Sequence, residues 1–186
     1  MFYFKESAFT EEQIDDILHL PFDYEETDPP EDLELTRKLA HRTSHSKIPA
    51  WLQNILVFHS DQANKDFNLR IFPNNFGHCA NLTYVKDGYT DWHNDCHFTE
   101  MFSPVSRKIT IIIATNDPDE YLGGELVINS KSYRLEAMED EPLPHNGRFP
   151  KGSILIFPSP LFHKVNTVTS GVRKTFVAYM NGPAWR

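Results

Sequence analysis

Arg107-Lys108-Ile109-Thr110-Ile111-Ile112-Ile113-Ala114-Thr115 is apolar at nearly every position from 109 to 113. A strand with one wet face alternates apolar and polar residues, because successive side chains point to opposite faces. A run without that alternation predicts a strand over 107–115 buried on both faces. Outward from it, short apolar runs bounded by Gly, Pro, Asn and Asp recur at 67–72, 80–86, 89–95, 124–128, 131–135, 153–157 and 172–180. This succession predicts a β-sandwich or barrel. Gly123-Gly124 admits a sharp turn before Glu125-Leu126-Val127-Ile128. Segments 96–106 and 138–150 read as mobile loops.

Ahead of the strands the pattern is helical. Thr10-Glu11-Glu12-Gln13 is a capping box that starts a helix with Ile14, Ile17 and Leu18 on one face, ending before Pro21. Pro30-Glu31-Asp32 can open a second helix to about Ala40. His41 to Lys47 is polar and reads as a loop. Pro49 to about Asp66 places Trp51, Leu52, Ile55, Leu56 and Phe58 near helical spacing. Residues 1–66 therefore read as mostly helical support for a β core over 67–186, all within one domain.

The chain of 186 residues is 40% hydrophobic and long enough to bury a substantial core. Its formal charge of −8 disfavours a broad electrostatic footprint on nucleic acid. No apolar run approaches bilayer length, and the first residues lack the basic start and apolar run of a signal peptide. Cys79 and Cys96 form neither a disulfide framework nor a zinc-finger spacing and read as unpaired thiols. A reducing, cytoplasmic setting is expected.

Tyr89-Thr90-Asp91-Trp92-His93-Asn94-Asp95 holds the candidate chemistry. Positions i and i+2 of a strand share a face, so His93 and Asp95 would project side by side. A second imidazole would complete a 2-His-1-carboxylate set, which suits non-haem Fe(II). His163, after Ile154-Leu155-Ile156-Phe157, is the candidate. A hairpin turning at Gly171 would return the chain beside it. On the returning strand Arg173, Thr175, Val177 and Tyr179 share one face, and Val172, Lys174, Phe176 and Ala178 the other. The Arg173 guanidinium offers a bidentate match to a carboxylate.

Taken together, Tyr84, Gly88, His93-x-Asp95, Arg107, Gly123-Gly124-Glu125-Leu126, Pro150-x-Gly152, Phe157-Pro158-Ser159, His163-x-Val165, Val168 and Gly171-x-Arg173 resemble the prolyl 4-hydroxylase-type branch of the 2-oxoglutarate- and Fe(II)-dependent dioxygenases. The resemblance runs from about residue 60 to 180. It departs at Tyr179, where relatives often have Trp, and offers nothing to align around 96–106 and 136–150. It implies a mainly β fold with N-terminal helices around a double-stranded β-helix, or jelly-roll, core. It further implies that His93, Asp95 and His163 ligate Fe(II), while Arg173 and Tyr84, helped by Thr175, hold the distal carboxylate of 2-oxoglutarate. O2 would be consumed, with ascorbate as a candidate auxiliary. The implied reaction is hydroxylation of an unactivated C–H bond, peptidyl proline first. The presence of Asp95 favours hydroxylation over halogenation, since related halogenases lack the carboxylate ligand. The alternatives are hydroxylation of a free amino acid or other small metabolite, and a non-catalytic ligand-binding barrel. A peptide, protein or small-molecule substrate is expected, with no nucleic-acid or membrane partner. His97 is expected on the substrate side or in a loop, not as a ligand.

Overall fold

The computed structural model describes residues 2–26, 38–96, 103–129 and 140–185. The central strand is the one anticipated from the isoleucine run: β7 (Val105–Ala114) has Ile109, Ile111 and Ile113 on one face and Thr110, Ile112 and Ala114 on the other, all at least nine-tenths buried. Each face meets its own core. Ile109, Ile111 and Ile113 pack with Phe176, Ala178 and Met180 against the helices. Ile112 and Ala114 pack with Leu126, Ile128, Leu155 and Val177 between two sheets.

The larger sheet has the strand order β1 (Tyr3–Lys5), β11 (Ile154–Pro158), β7, β14 (Arg173–Pro183), β5 (Cys79–Tyr84), β4 (His41–His45) and β2 (Tyr24–Glu26). Facing it is a smaller sheet of β10 (Asp140–Glu141), β9 (Leu126–Asn129), β12 (Phe162–Val165), β6 (Tyr89–His93) and β3 (Lys38–Leu39). Every pairing in both is antiparallel. A separate ribbon pairs β8 (Tyr121–Gly123) with β13 (Val168–Gly171). Gly171 has φ +74°, and a Cβ there would lie 2.0 Å from the Glu120 carbonyl oxygen, so the ribbon closes only with glycine. This is the double-stranded β-helix with N-terminal helices.

Helix α1 (Glu11–Leu18) begins at the expected capping box: Thr10 Oγ1 accepts from the Gln13 N–H, and Gln13 Oε1 from the Thr10 N–H. It buries Ile14 and Ile17 completely. Helix α2 (Ala50–Phe67) buries Leu52, Leu56, His59, Ser60 and Ala63. Among the described residues, no helix is long and apolar enough to cross a membrane.

Three local expectations change. Residues 41–47, read as a loop for their polarity, contain β4, because pairing with both β5 and β2 satisfies a backbone that side-chain pattern alone does not place. Of the second expected helix, from Pro30 to about Ala40, residues 30–37 lie outside the described residues, and Lys38–Leu39 is a strand paired with β6. Residues 67–72 form no strand. Helix α2 runs on to Phe67, Asn68 turns left-handed at φ 52°, and the Asn64 amide engages both the N–H and the carbonyl of Leu69. Those are the groups that a strand would offer a neighbour. The expected strand at 131–135 and most of the 96–106 loop also lie outside the described residues, whereas 140–147 contains β10 and a 3₁₀ turn.

Helix α2 supplies a direct check on which of its faces supports the sheet. Leu56 is fully buried and Phe58 is 58% exposed. Leu56→Ala is expected to destabilise the fold by about 2–5 kcal/mol and Phe58→Ala by about 0.5 kcal/mol or less in chemical denaturation. Equal losses would contradict the packing described.

Candidate active site

His93 is the last residue of β6, and Asp95 lies two residues on, beyond the strand. The two converge, though not through the strand alternation expected. Asp95 is instead seated by the neighbouring turn: its N–H donates to the Ser159 carbonyl at 3.0 Å, and the Ser159 N–H donates to the Lys108 carbonyl. Strand β12 lies antiparallel to β6 with His163 directly opposite His93. The imidazole centroids are 4.1 Å apart, and Phe157 closes against His163 edge-on. His163 Nε2 is 3.4 Å from Asp95 Oδ2, and His93 Nε2 is 3.8 Å from Asp95 Oδ1. One donor atom from each residue fits within a span of 4.8 Å, the arrangement of a facial metal site.

Backbone carbonyls determine the tautomers. His93 Nδ1 is 2.8 Å from the Asp91 carbonyl, and His163 Nδ1 is 3.1 Å from the Leu161 carbonyl. A carbonyl only accepts, so each Nδ1 carries a proton and Nε2 is the nitrogen left to face a metal. Burial disfavours the Asp95 carboxylate, but the facing His163 and His93, with the Thr110 hydroxyl, outweigh it and hold the group below the usual carboxylate range. Thr110 Oγ1 donates to Asp95 Oδ2 at 2.7 Å. Its one proton being used, it accepts from Ser159 Oγ at 3.0 Å. Thr110 had no role in the sequence reading, and Ser159 entered only as part of Phe157-Pro158-Ser159, with no role of its own. The available signal was a lone hydroxyl within Ile109–Ile113, on a strand with no wet face.

Arg173 arrives from the other sheet. The expected hairpin beside His163 does not form, because β12 pairs with β6 and β9, whereas β14 pairs with β7 and β5. The intervening β13 joins the separate ribbon, so His163 and Arg173 line one cavity from opposite sheets. The alternation along β14 is as expected: Arg173, Thr175, Val177 and Tyr179 line the cavity, and Phe176 and Ala178 join the helix-side core. The cavity, about 370 Å³, also holds all three residues of the triad with Tyr84, Thr90, Thr110 and Arg42. Arg173 is 2% exposed, its Nε has no hydrogen-bond partner, and it forms no carboxylate ion pair among the described residues. Its guanidinium lies 5.1 Å from the Tyr84 ring centre. The Tyr84 hydroxyl is 3.0 Å from Thr90 Oγ1, and burial raises its pKa despite nearby Arg173. It therefore stays protonated and able to donate. Gly124, at φ +67°, gives Arg173 room, since a Cβ there would sit 3.0 Å from Arg173 Cδ. Neither Cys79 nor Cys96 is in a disulfide.

Residues 77–181 match the family described as the 2OG-Fe(II) oxygenase superfamily. The chain belongs to this family. The chain is 32% identical over 108 residues to the PKHD-type hydroxylase PiuC of Pseudomonas aeruginosa, a match over 56% of this chain and 41% of that relative. It thus spans well under half the length of this curated relative. Its fold resembles a viral collagen prolyl hydroxylase from Paramecium bursaria Chlorella virus-1 (TM-score 0.66, 12% identity, covering 97% of this chain and 96% of that one). It also resembles a Pseudomonas putida prolyl-4-hydroxylase (TM-score 0.62, 12% identity, covering 96% and 91%).

The hydroxyl chain onto Asp95 makes a measurable difference. Thr110→Val keeps the shape and removes the donor. It is expected to lower divalent-metal affinity by about 10–100-fold in equilibrium titration, with the circular dichroism spectrum retained. Unchanged affinity would show that Asp95 does not depend on Thr110.

Proposed function

We propose that this oxygenase is a 2-oxoglutarate- and Fe(II)-dependent hydroxylase of an unactivated C–H bond, with peptidyl proline as the first substrate class. The observation that carries the reading is the buried Arg173, whose Nε is unpartnered in the same cavity as the His93–Asp95–His163 cluster. A buried cation without an anion is costly, and a dicarboxylate spanning from metal to guanidinium would neutralise it. The donor set also fits the metal, with two Nε2 nitrogens and one ionised carboxylate converging. The prolyl hydroxylase names of two fold neighbours favour proline as the substrate class.

In this reading His93, Asp95 and His163 would hold Fe(II). Arg173 pairs with the distal carboxylate of 2-oxoglutarate, Tyr84 donates its hydroxyl to it, and Thr175 lies alongside. When bound, Fe(II) with 2-oxoglutarate and O2 supplies the oxidising chemistry that side chains lack. The chain's own work is positional. The backbone carbonyls of Asp91 and Leu161 orient the imidazoles, Thr110 orients Asp95, and Ile112, Leu126 and Val177 keep the cavity wall apolar. A reducing cytoplasmic setting would keep the iron ferrous, with ascorbate as an auxiliary reductant. A free amino acid or other small metabolite is the second substrate class.

Anaerobic addition of Fe(II) and 2-oxoglutarate is expected to produce a visible metal-to-ligand charge-transfer band, lost in His163→Ala. Folded protein that gives no band would overturn the reading. Arg173→Ala is expected to raise the 2-oxoglutarate requirement by on the order of a hundredfold while retaining metal, the consequence of deleting one member of a buried charge pair. Lys174→Ala, on the opposite face of β14, should leave that requirement unchanged. Succinate formation stimulated by a proline-rich peptide, and not by free amino acids, would assign the first substrate class; the reverse pattern would assign the second.

A further inference from the structure

Thr90 and His93 both line the cavity from β6, although they stand three residues apart. In a regular strand that odd separation would send the two side chains to opposite faces. The ladder to β12 shows why it does not. His93 pairs with His163 and Thr90 with Val165, so three steps along β6 match two along β12. The extra residue makes a bulge at Asp91–Trp92, a device that re-aims side chains. The bulge has its own hydrogen bonds: Asp91 Oδ1 accepts the Trp92 N–H at 2.7 Å, and the Asp91 carbonyl faces His93 Nδ1 at 2.8 Å. Thr90 itself is held on both sides, pairing with Val165 of β12 and Lys38 of β3.

The partner that the bulge offers Thr90 is Tyr84. Both residues are buried, and Tyr84 comes from β5 in the larger sheet, where it pairs in register with Arg173. The Tyr84 hydroxyl and Thr90 Oγ1 are 3.0 Å apart, and among the described residues this is the hydrogen bond that each hydroxyl makes. A hydroxyl has one proton to give and lone pairs with which to accept. If Tyr84 gives its proton to Thr90, none is left for a ligand. If Thr90 gives its proton to Tyr84, the phenol keeps its own for the cavity it shares with Arg173. A hydroxyl that accepts one hydrogen bond is also polarised to donate a stronger one.

We propose that Thr90 is a positioning residue for the cosubstrate: its hydroxyl donates to Tyr84 Oη and so commits the Tyr84 proton to the distal carboxylate that Arg173 pairs with. The bulge then lets one strand serve both ends of 2-oxoglutarate, with His93 at the metal end and Thr90 behind the phenol at the other. The proposal rests on the hydroxylase reading and adds to it a residue that acts on the ligand only through Tyr84.

The test reads dissociation constants from the charge-transfer band in anaerobic titrations of the full chain loaded with Fe(II). The ligands are 2-oxoglutarate and 2-oxobutyrate, which keeps the 2-oxo group and C1 carboxylate and lacks the distal carboxylate. No band from the unaltered chain with either ligand would sink the hydroxylase reading itself. Thr90→Val keeps the shape and removes the hydroxyl. It is expected to weaken 2-oxoglutarate by about three- to tenfold, the factor for one hydrogen bond, and to leave 2-oxobutyrate unchanged. Thr90→Ser, which restores the hydroxyl, is expected to bind 2-oxoglutarate nearly as the unaltered chain does. In a Tyr84→Phe background Thr90→Val is expected to add no further loss, because its effect runs through the phenol. Unchanged or tighter 2-oxoglutarate binding by Thr90→Val overturns the proposal. An equal loss for 2-oxobutyrate does so too, by placing the effect at the metal or in the fold. So does a serine variant as weak as the valine one, or an undiminished loss in the Tyr84→Phe background.

Discussion

The pairing of β12 with β6 is the constraint on which the site depends. It sets His163 directly opposite His93, across a ladder whose spacing is fixed by backbone hydrogen bonds. The metal ligands therefore inherit their separation from the sheet and not from flexible side chains. Asp95 lies outside that ladder and needs its own support. The Ser159 carbonyl holds its backbone, and the Ser159–Thr110 hydroxyl chain holds its carboxylate. Ser159 follows β11 and Thr110 lies in β7, so the third ligand is positioned by the larger sheet. The triad ties the two sheets together at the point where they face.

The same two-sheet arrangement explains how Arg173 can be buried. A guanidinium with an unpartnered Nε at 2% exposure opposes folding, and β14 carries that burden because its other face is anchored by Phe176, Ala178 and Met180 against the helices. The helices lie outside the cavity, and their contribution is a rigid back to the strand that presents Arg173. A buried charge left unmatched among the described residues is a common mark of a site awaiting a ligand.

Much of this was legible in the residues. The isoleucine run announced a strand buried on both faces, the capping box announced α1, and alternation along 173–179 correctly sorted cavity residues from core residues. These are local properties, since periodicity and capping depend on neighbours in the chain. Polar pairing strands were harder to read. His41–His45 has no apolar alternation, and its strand character comes from β5 and β2 on either side. Arg42, a cavity residue, was hidden for that reason. Thr110 carried a usable signal, one hydroxyl in an otherwise apolar double-sided strand, but its partner Asp95 lies 15 residues earlier.

The sequence by itself determined the strand-rich core, the helical cap, the candidate ligands His93, Asp95 and His163, and the face of β14 that carries Arg173. Only the tertiary structure decided that His163 and Arg173 belong to different sheets and look into one cavity from opposite sides. Gly171 turns the chain between them, but whether the next strand returns to its neighbour or crosses to the other sheet is not a local matter. It depends on which edges remain unpaired once β6, β7 and β9 are placed, and that is a property of the whole assembly of strands.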